Sequence, residues 1–378
     1  MSDKKPVIVY GASGYTGRLV CEYLREYNVP FIAAGRSQEK LEDAMGSHVA
    51  GIETADYEIQ VVDTTVEALT ELFTGAQVVL NTVGPFSKYG PTVVEAALAA
   101  GVHYTDTTGE QDWLITCDEK YGADFAAKGL LLSPGIAQMY TIGEIAAQLC
   151  LEYPGLDTLD IAVFWGGSPT IASTQTILVN AATSAANYLE GNQYVPFDPE
   201  QGLVPLVVPG QHELALSLPW GGTSHPVWFK RDPRVANCKA QGGVFNAALM
   251  NGVPQIVAAA LEATKDMNDE DKDAALTATA AQVMNEMPPR ENPRINKSLD
   301  SVHASGPLGR AHCVIHGNSN YKATGLLQAY AAYHLLQQPP NRAGFASGCQ
   351  AFGHRELLAQ LREFGLVAEP VLTTQHRG

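Results

Sequence analysis

The sequence predicts an α/β protein, with a parallel-sheet domain first and a second α+β domain after it. Three observations carry this. Short apolar runs alternate with amphipathic stretches over the first third of the chain. A glycine loop, Gly11-x-x-Gly14-x-x-Gly17, stands between the first apolar run and the first amphipathic stretch. After Cys150 the pattern changes to longer strands, aromatic-rich turns and two Ala-rich helices. Continuous apolar strands are buried on both faces, the habit of a parallel sheet covered by helices.

Taken in order, Val7 to Tyr10 reads as a strand, Tyr15 to Tyr27 as a helix and Phe31 to Ala34 as a strand. Glu58 to Val62 and Gln77 to Leu80 read as two further strands, and Leu130 to Ser133 as another. Thr64, Thr116 and Thr141, each followed three residues later by Glu, fit the capping box and predict helix starts. Beyond Cys150, Leu156 to Trp165 reads as a strand and Thr170 to Glu190 as a helix. Gly202 to Lys239 reads as antiparallel strands with turns. Helices are expected at about 244–264 and 269–286, a strand at Arg310 to His316, and helices at Tyr321 to Gln337 and Arg355 to Phe364. The expected division is a dinucleotide-binding domain over 1–150, onto which about 318–378 packs back, and an α+β substrate or dimerisation domain over 151–317.

The chain has 378 residues, 46% of them hydrophobic and 17% charged, enough for two cored domains. Its formal net charge of −16 excludes a nucleic-acid or anionic-membrane role, because no basic stripe is available to neutralise phosphates. A small-molecule partner is expected. The polar start lacks an apolar signal region, and no apolar run reaches the length of a membrane span. Six scattered cysteines without a C-x-x-C pair read as reduced thiols, so a cytoplasmic location is expected.

The glycine loop gives the chemistry. Gly11 permits the tight turn, Gly14 lets the backbone approach a pyrophosphate, and Gly17 allows close helix–sheet packing. The following helix offers free N–H groups and a positive dipole end. Ser13, Tyr15 and Thr16 lie in the same loop. This is a Rossmann-type dinucleotide site. NAD enzymes place Asp or Glu at the end of the second strand to accept from the ribose 2′-hydroxyl. Here Arg36-Ser37 stands instead, which suits the 2′-phosphate of NADP(H), while Ser37 also fits as a helix cap. Asn81-Thr82-Val83-Gly84-Pro85 falls at the carboxyl edge of the sheet and is expected to line the ribose–nicotinamide side. Hydride transfer needs one proton beyond what the cofactor provides. Candidate donors are Lys88, Tyr89, His103, Tyr104 and Tyr321. Asp106 and Glu110 read foremost as loop-fixing carboxylates. His312 and His316 have no Cys or carboxylate companions, and no metal is expected.

Four blocks resemble the saccharopine dehydrogenase-like NADP-binding oxidoreductases, a family that includes saccharopine reductases and trans-acting enoyl reductases. They are Tyr10 to Arg18, Ala34 to Ser37, Asn81 to Phe86 with Tyr89-Gly90, and His103 to Glu110. A looser match runs from Tyr321 to Leu366. The resemblance implies an NADPH-dependent reductase, acting as a homodimer on a C=C, C=O or C=N bond. An imine substrate of saccharopine type needs cationic groups. The cluster Lys230, Arg231, Arg234 and Lys239 is interrupted by Asp232, so a fairly apolar substrate with a C=C or C=O bond is favoured. An NADP(H)-binding redox sensor without turnover is the alternative outside enzymes.

Overall fold

Val7, Ile8, Val9 and Tyr10 are all buried, and they form the strand on which the first sheet is assembled. The computed structural model describes residues 4–183, 186–198, 201–219, 224–283 and 287–376. In chain order the elements are β1 (Val7–Tyr10), α1 (Tyr15–Glu26), β2 (Phe31–Gly35), α2 (Gln38–Asp43), β3 (Tyr57–Val61), α3 (Val66–Phe73), β4 (Val78–Asn81), α4 (Phe86–Ala100), β5 (His103–Asp106), α5 (Gln111–Thr116), α6 (Gly122–Ala127), β6 (Leu131–Ser133) and α7 (Gln138–Leu151). There follow β7 (Thr158–Trp165), α8 (Ile171–Thr183), β8 (Asn187–Glu190), β9 (Gln193–Pro196), β10 (Val204–Val207), β11 (Leu214–Ser217), α9 (Ser224–Phe229), β12 (Asn237–Val244), α10 (Ala247–Thr264) and α11 (Asp269–Val283). The last are β13 (Lys297–Gly306), β14 (Gly309–Asn318), α12 (Asn320–Gln337), β15 (Gly344–Phe345), α13 (Gly348–Phe352), α14 (His354–Glu363) and β16 (Val371–His376).

The chain divides into two units. The first comprises Met1–Thr108, Asp112–Thr141 and Tyr321–Leu366, the second Gly109–Gln111, Ile142–Asn320 and Val367–Gly378. The first unit holds a sheet in the order β15-β6-β5-β4-β1-β2-β3, parallel at every pairing. This is the Rossmann order, extended at one edge by β15. The strands run parallel because each connection is a crossover carrying a helix. The second unit holds a mixed sheet in the order β16-β14-β13-β7-β12-β8-β9. The hairpin β10–β11 packs on one face of it, where Phe164, Leu299 and Val314 meet Val208 and Ala215. The predicted class is therefore the observed one: a Rossmann-type α/β unit and a second α+β unit.

Several local expectations are corrected. Thr64 does not cap α3. Its neighbour Thr65 does, accepting from the Ala68 N–H at 3.2 Å. Thr116 closes α5 and leads into a further helical turn at Cys117–Tyr121, but its hydroxyl donates back to the Asp112 carbonyl and caps neither. Thr141 lies inside α7, whose first-turn Gln138 N–H donates to the Thr324 hydroxyl at 3.0 Å. That partner is 186 residues away, so local spacing could not reveal it. The stretch read as one helix over 170–190 contains α8 and then β8. The Gly191-Asn192 turn, with φ of 55° and 59°, sends β8 back along β9. Such a two-residue turn suits the right-handed twist of its strands. The stretch read as continuous antiparallel strands over 202–239 contains the helix α9, and β12 then runs parallel to β7. Strands β13, β15 and β16 were not among the predicted elements. Two-residue β15 is too short to show a period, and the polar Thr373-Thr374-Gln375-His376 run of β16 masks an edge strand paired with β14.

Candidate dinucleotide site

The site begins where β1 ends. Gly11 has φ +92°, and its N–H and that of Ala12 both donate to the Ala34 carbonyl, at 2.9 and 3.2 Å. A Cβ on Gly11 would stand 2.6 Å from the Thr82 hydroxyl and 2.8 Å from a Val83 methyl, so the loop can lie against β4 only as glycine. A Cβ on Gly17 would meet the Gly11 carbonyl and stand 2.8 Å from the Ala12 Cα, both backbone. Gly14 differs. A Cβ there would meet the Gly11 carbonyl at 3.3 Å and nothing else within 4 Å. Gly14 is also the N-cap of α1, in extended conformation, and no side chain caps the helix. The side of the loop at Gly14 is thus open, exposed and edged by the first turn of a 12-residue helix, and a side chain there would occupy that space. Arg18 Nε donates to the Ser13 carbonyl at 2.9 Å and holds the loop in shape. The ring of Tyr15 stands edge-on to that of Tyr321, centroids 5.1 Å apart.

Arg36 is exposed directly after β2, and no carboxylate occupies its position or the next. Ser37 caps α2, accepting from the Lys40 N–H at 3.3 Å. The Tyr10 hydroxyl bonds to Thr64 and lies within electrostatic range of both Arg36 and Tyr89. Burial pushes the Tyr10 phenol up, partly offset by Thr64 and by the Arg36 charge. Lys88 lies over the Tyr89 ring, its Nζ 5.3 Å from the centroid.

The 81–85 loop is braced from within. Thr82 Oγ1 donates to the carbonyls of Tyr10 and Gly11, at 3.0 and 3.1 Å. Asn81 Oδ1 accepts from the Val83 N–H at 2.9 Å, and its Nδ2 donates to the Tyr104 hydroxyl at 3.0 Å. The Gly84–Pro85 peptide is cis. Tyr104 donates on to Asp106 Oδ2 at 2.8 Å, which also accepts from Trp113 Nε1 at 3.0 Å. Asp106 Oδ1 accepts from the N–H groups of Thr108 and Gly135, both at 2.9 Å. Gln328 pins the same strand end from α12, donating to the carbonyls of Asp106 and Ile136 at 2.7 and 2.8 Å. His103 accepts the Leu131 N–H on Nδ1 at 2.9 Å. His103, Tyr104 and Asp106 are therefore committed to the frame. Trp113 and Gln328 are the framing residues that spacing alone missed, and Thr64, which spacing marks as a helix cap, serves Tyr10 instead.

Desolvation pushes the Asp106 carboxyl up to about 6, although four donors favour its ionised form. Below about pH 4 both folded and unfolded chains hold this proton. Between about 4 and 6 only the folded chain does, so this contribution, ~3 kcal/mol, is lost as pH rises through 6. Asp106→Asn is expected to flatten that dependence. It should also cost about 1–3 kcal/mol at pH 8, because the new amide would face the Trp113 N–H. Urea denaturation at pH 5 and pH 8 measures both.

His312 stacks on His303, with centroids 3.8 Å apart, and among the described residues no cluster of His, Cys, Asp and Glu could hold a metal ion. All six cysteines are buried and unbridged. Among the described residues no helix is long and apolar enough to cross a membrane. The aromatic and glycine segment Trp220-Gly221-Gly222 lies outside the described residues.

Residues 141–376 match the model of a family of unknown function, DUF5938. The chain belongs to the DUF5938 family. Residues 7–127 of this DUF5938 chain match the saccharopine dehydrogenase NADP binding domain. The glycine loop and the Rossmann sheet are thus those of an NADP-binding domain of saccharopine dehydrogenase-like type. The human saccharopine dehydrogenase-like oxidoreductase is 32% identical over 146 residues, covering 35% of this chain and 34% of that protein. A trans-acting enoyl reductase of Mycobacterium ulcerans is 38% identical over 107 residues, covering 28% of this chain and 25% of that protein. The matched part is thus about a third or less of these relatives. Saccharopine dehydrogenase (L-Glu forming) from Saccharomyces cerevisiae superposes over 98% of this chain and 100% of its own, with TM-score 0.62 and 11% identity. That likeness shows the shared fold.

Proposed function

We propose that the protein is an NADPH-dependent reductase that transfers hydride to a C=C or C=O bond of a small, fairly apolar molecule. One observation carries the reading. The glycine loop, open at Gly14, is followed by Arg36 at the strand end where a 2′-hydroxyl-binding enzyme carries a carboxylate. When bound, the reduced nicotinamide supplies the hydride. The loop's amides and the α1 dipole hold the pyrophosphate, with Ser13, Tyr15 and Thr16 around it. Arg36 and Ser37 take the 2′-phosphate. Because the side chains of Asn81 and Thr82 are spent on the frame, the 81–85 loop offers its main chain and Val83 to the nicotinamide ribose.

The proton is assigned to Tyr321, whose phenol is held against Tyr15 in the loop. Lys88 and Tyr89, in the first turn of α4 beyond the 81–85 loop, are the other candidates for the proton. Tyr321→Phe is expected to lower kcat at least tenfold while NADPH affinity stays unchanged. Equal turnover in that variant would remove Tyr321 from the mechanism. The name of the enoyl reductase relative supports C=C reduction. A cytoplasmic homodimer completes the reading. Loss of NADPH absorbance with an enone, a ketone or an imine decides between the bond types. Tight NADPH binding with no turnover across the panel would instead favour a sensor.

A further inference from the structure

The carboxyl end of β7 carries polar atoms that the second unit's own packing does not use. Trp165 closes β7 in register with Ser298 of β13, so their side chains are neighbours on one face. Ser298 is in turn in register with Gly317 of β14. Just beyond that strand, Ser319 donates its N–H to the Asn296 carbonyl at 2.5 Å, which holds it at the same sheet end. Trp165 is 4% exposed, Ser298 3% and Ser319 0%. Yet the Trp165 indole nitrogen and both serine hydroxyls lack a hydrogen-bond partner among the described residues. Each such group left dry costs about 1–3 kcal/mol, and buried polar atoms are almost always paired. Three at one strand end point to something they are meant to hold.

The surroundings define its chemistry. On the same face, one register step along, lie fully buried Val163 and Ile315, both opposite Asp300. Asp300 is itself fully buried, and a carboxylate there opposes an anionic ligand. The adjacent cation on β13, Lys297, alternates to the other face and is exposed. An indole N–H can only donate. We propose that this sheet end is a ligand subsite, in which Trp165 Nε1 and Ser298 Oγ hold the oxygen of an uncharged, largely apolar compound. An apolar wall with a few convergent polar groups is the ordinary make-up of a small-molecule site. Only the further step of calling this compound the substrate rests on the reductase reading.

The test measures binding to the full chain, without turnover, using 2-octanone and octanoate as probes. Expected are binding of 2-octanone and at least tenfold weaker binding of octanoate. Trp165→Phe should weaken 2-octanone about tenfold and Ser298→Ala about three- to tenfold. Ser298→Ala should leave Tm unchanged or raised, since it removes an unpaired buried hydroxyl. Neither variant should alter NADPH affinity. The proposal is overturned if octanoate binds as tightly as 2-octanone, if 2-octanone does not bind, if Ser298→Ala retains wild-type affinity, or if its Tm falls by several degrees. Failure of wild-type protein to bind NADPH would sink the cofactor assignment alone, because octanone binding is read separately.

Discussion

Gly14→Ala should abolish useful NADPH binding in a protein that still folds. The methyl group would meet the Gly11 carbonyl at 3.3 Å and nothing else of the protein within 4 Å, so a few tenths of an ångström of adjustment suffices. Its remaining cost is felt by whatever approaches from outside. Displacing a pyrophosphate from two or more charge-assisted amide contacts, each worth about 1.5–3 kcal/mol, corresponds to at least a hundredfold loss of affinity. Gly17→Ala makes the contrast. Its methyl would press on the Gly11 carbonyl and the Ala12 Cα, neither of which can rotate aside. Stability should fall by about 1–3 kcal/mol along with binding. Thermal denaturation beside a fluorescence titration with NADPH separates the two. Equal Tm losses in both variants would mean that Gly14 also serves packing, and the pyrophosphate site would lose its main support.

Arg36→Ala should cost NADPH about tenfold to a hundredfold in affinity and leave NADH unchanged. The 2′-phosphate is the one group that distinguishes the cofactors, and a guanidinium meets it with two parallel N–H donors. Arg36→Lys should recover only part of the loss, since an ammonium lacks that fork. Arg36 is exposed and follows the last residue of β2, so none of these changes should move Tm appreciably. A wild-type chain that binds NADH as tightly as NADPH would contradict the proposed role of Arg36.

Much of the first unit could be read in advance because its signals are local. Buried parallel strands leave unbroken apolar runs, as in Val7 to Tyr10, and glycine spacing marks the turn that follows. What escaped reading was set by partners distant in the chain. Thr64, Thr65, Thr116 and Thr141 all match a cap by composition, but which hydroxyl caps depends on Tyr10 and Thr324. Asp106 and Glu110 look alike as acidic loop residues. Only the convergence of Tyr104, Trp113, Thr108 and Gly135 shows that the first is a bracket for four segments. In the second unit the helical spacing over 170–190 hides β8, and the Gly191-Asn192 turn gains its meaning only from the pairing of β8 with β9. At Trp165 the sequence marks only an aromatic beside two glycines, Trp165-Gly166-Gly167, and Ser298 joins it through strand register alone.

The first sheet takes its edge strand, β15, from residues 344–345, and the end of β5 is held by Gln328, whose bond to Thr105 spans 223 residues. Gly325 of α12 comes so close to Leu19 of α1 that a Cβ there would stand 2.9 Å from its backbone. A ribosome therefore delivers the glycine loop early but the parts that brace its sheet late, after all of the second unit except its C-terminal segment from Val367 has been made. Contacts of such long range close slowly. During synthesis the nascent cofactor unit must wait with one sheet edge bare, exposed to mispairing and to chaperones that recognise such edges. A chain stalled before residue 320 would carry every residue of the glycine loop and lack the helix that packs on α1 at Leu19.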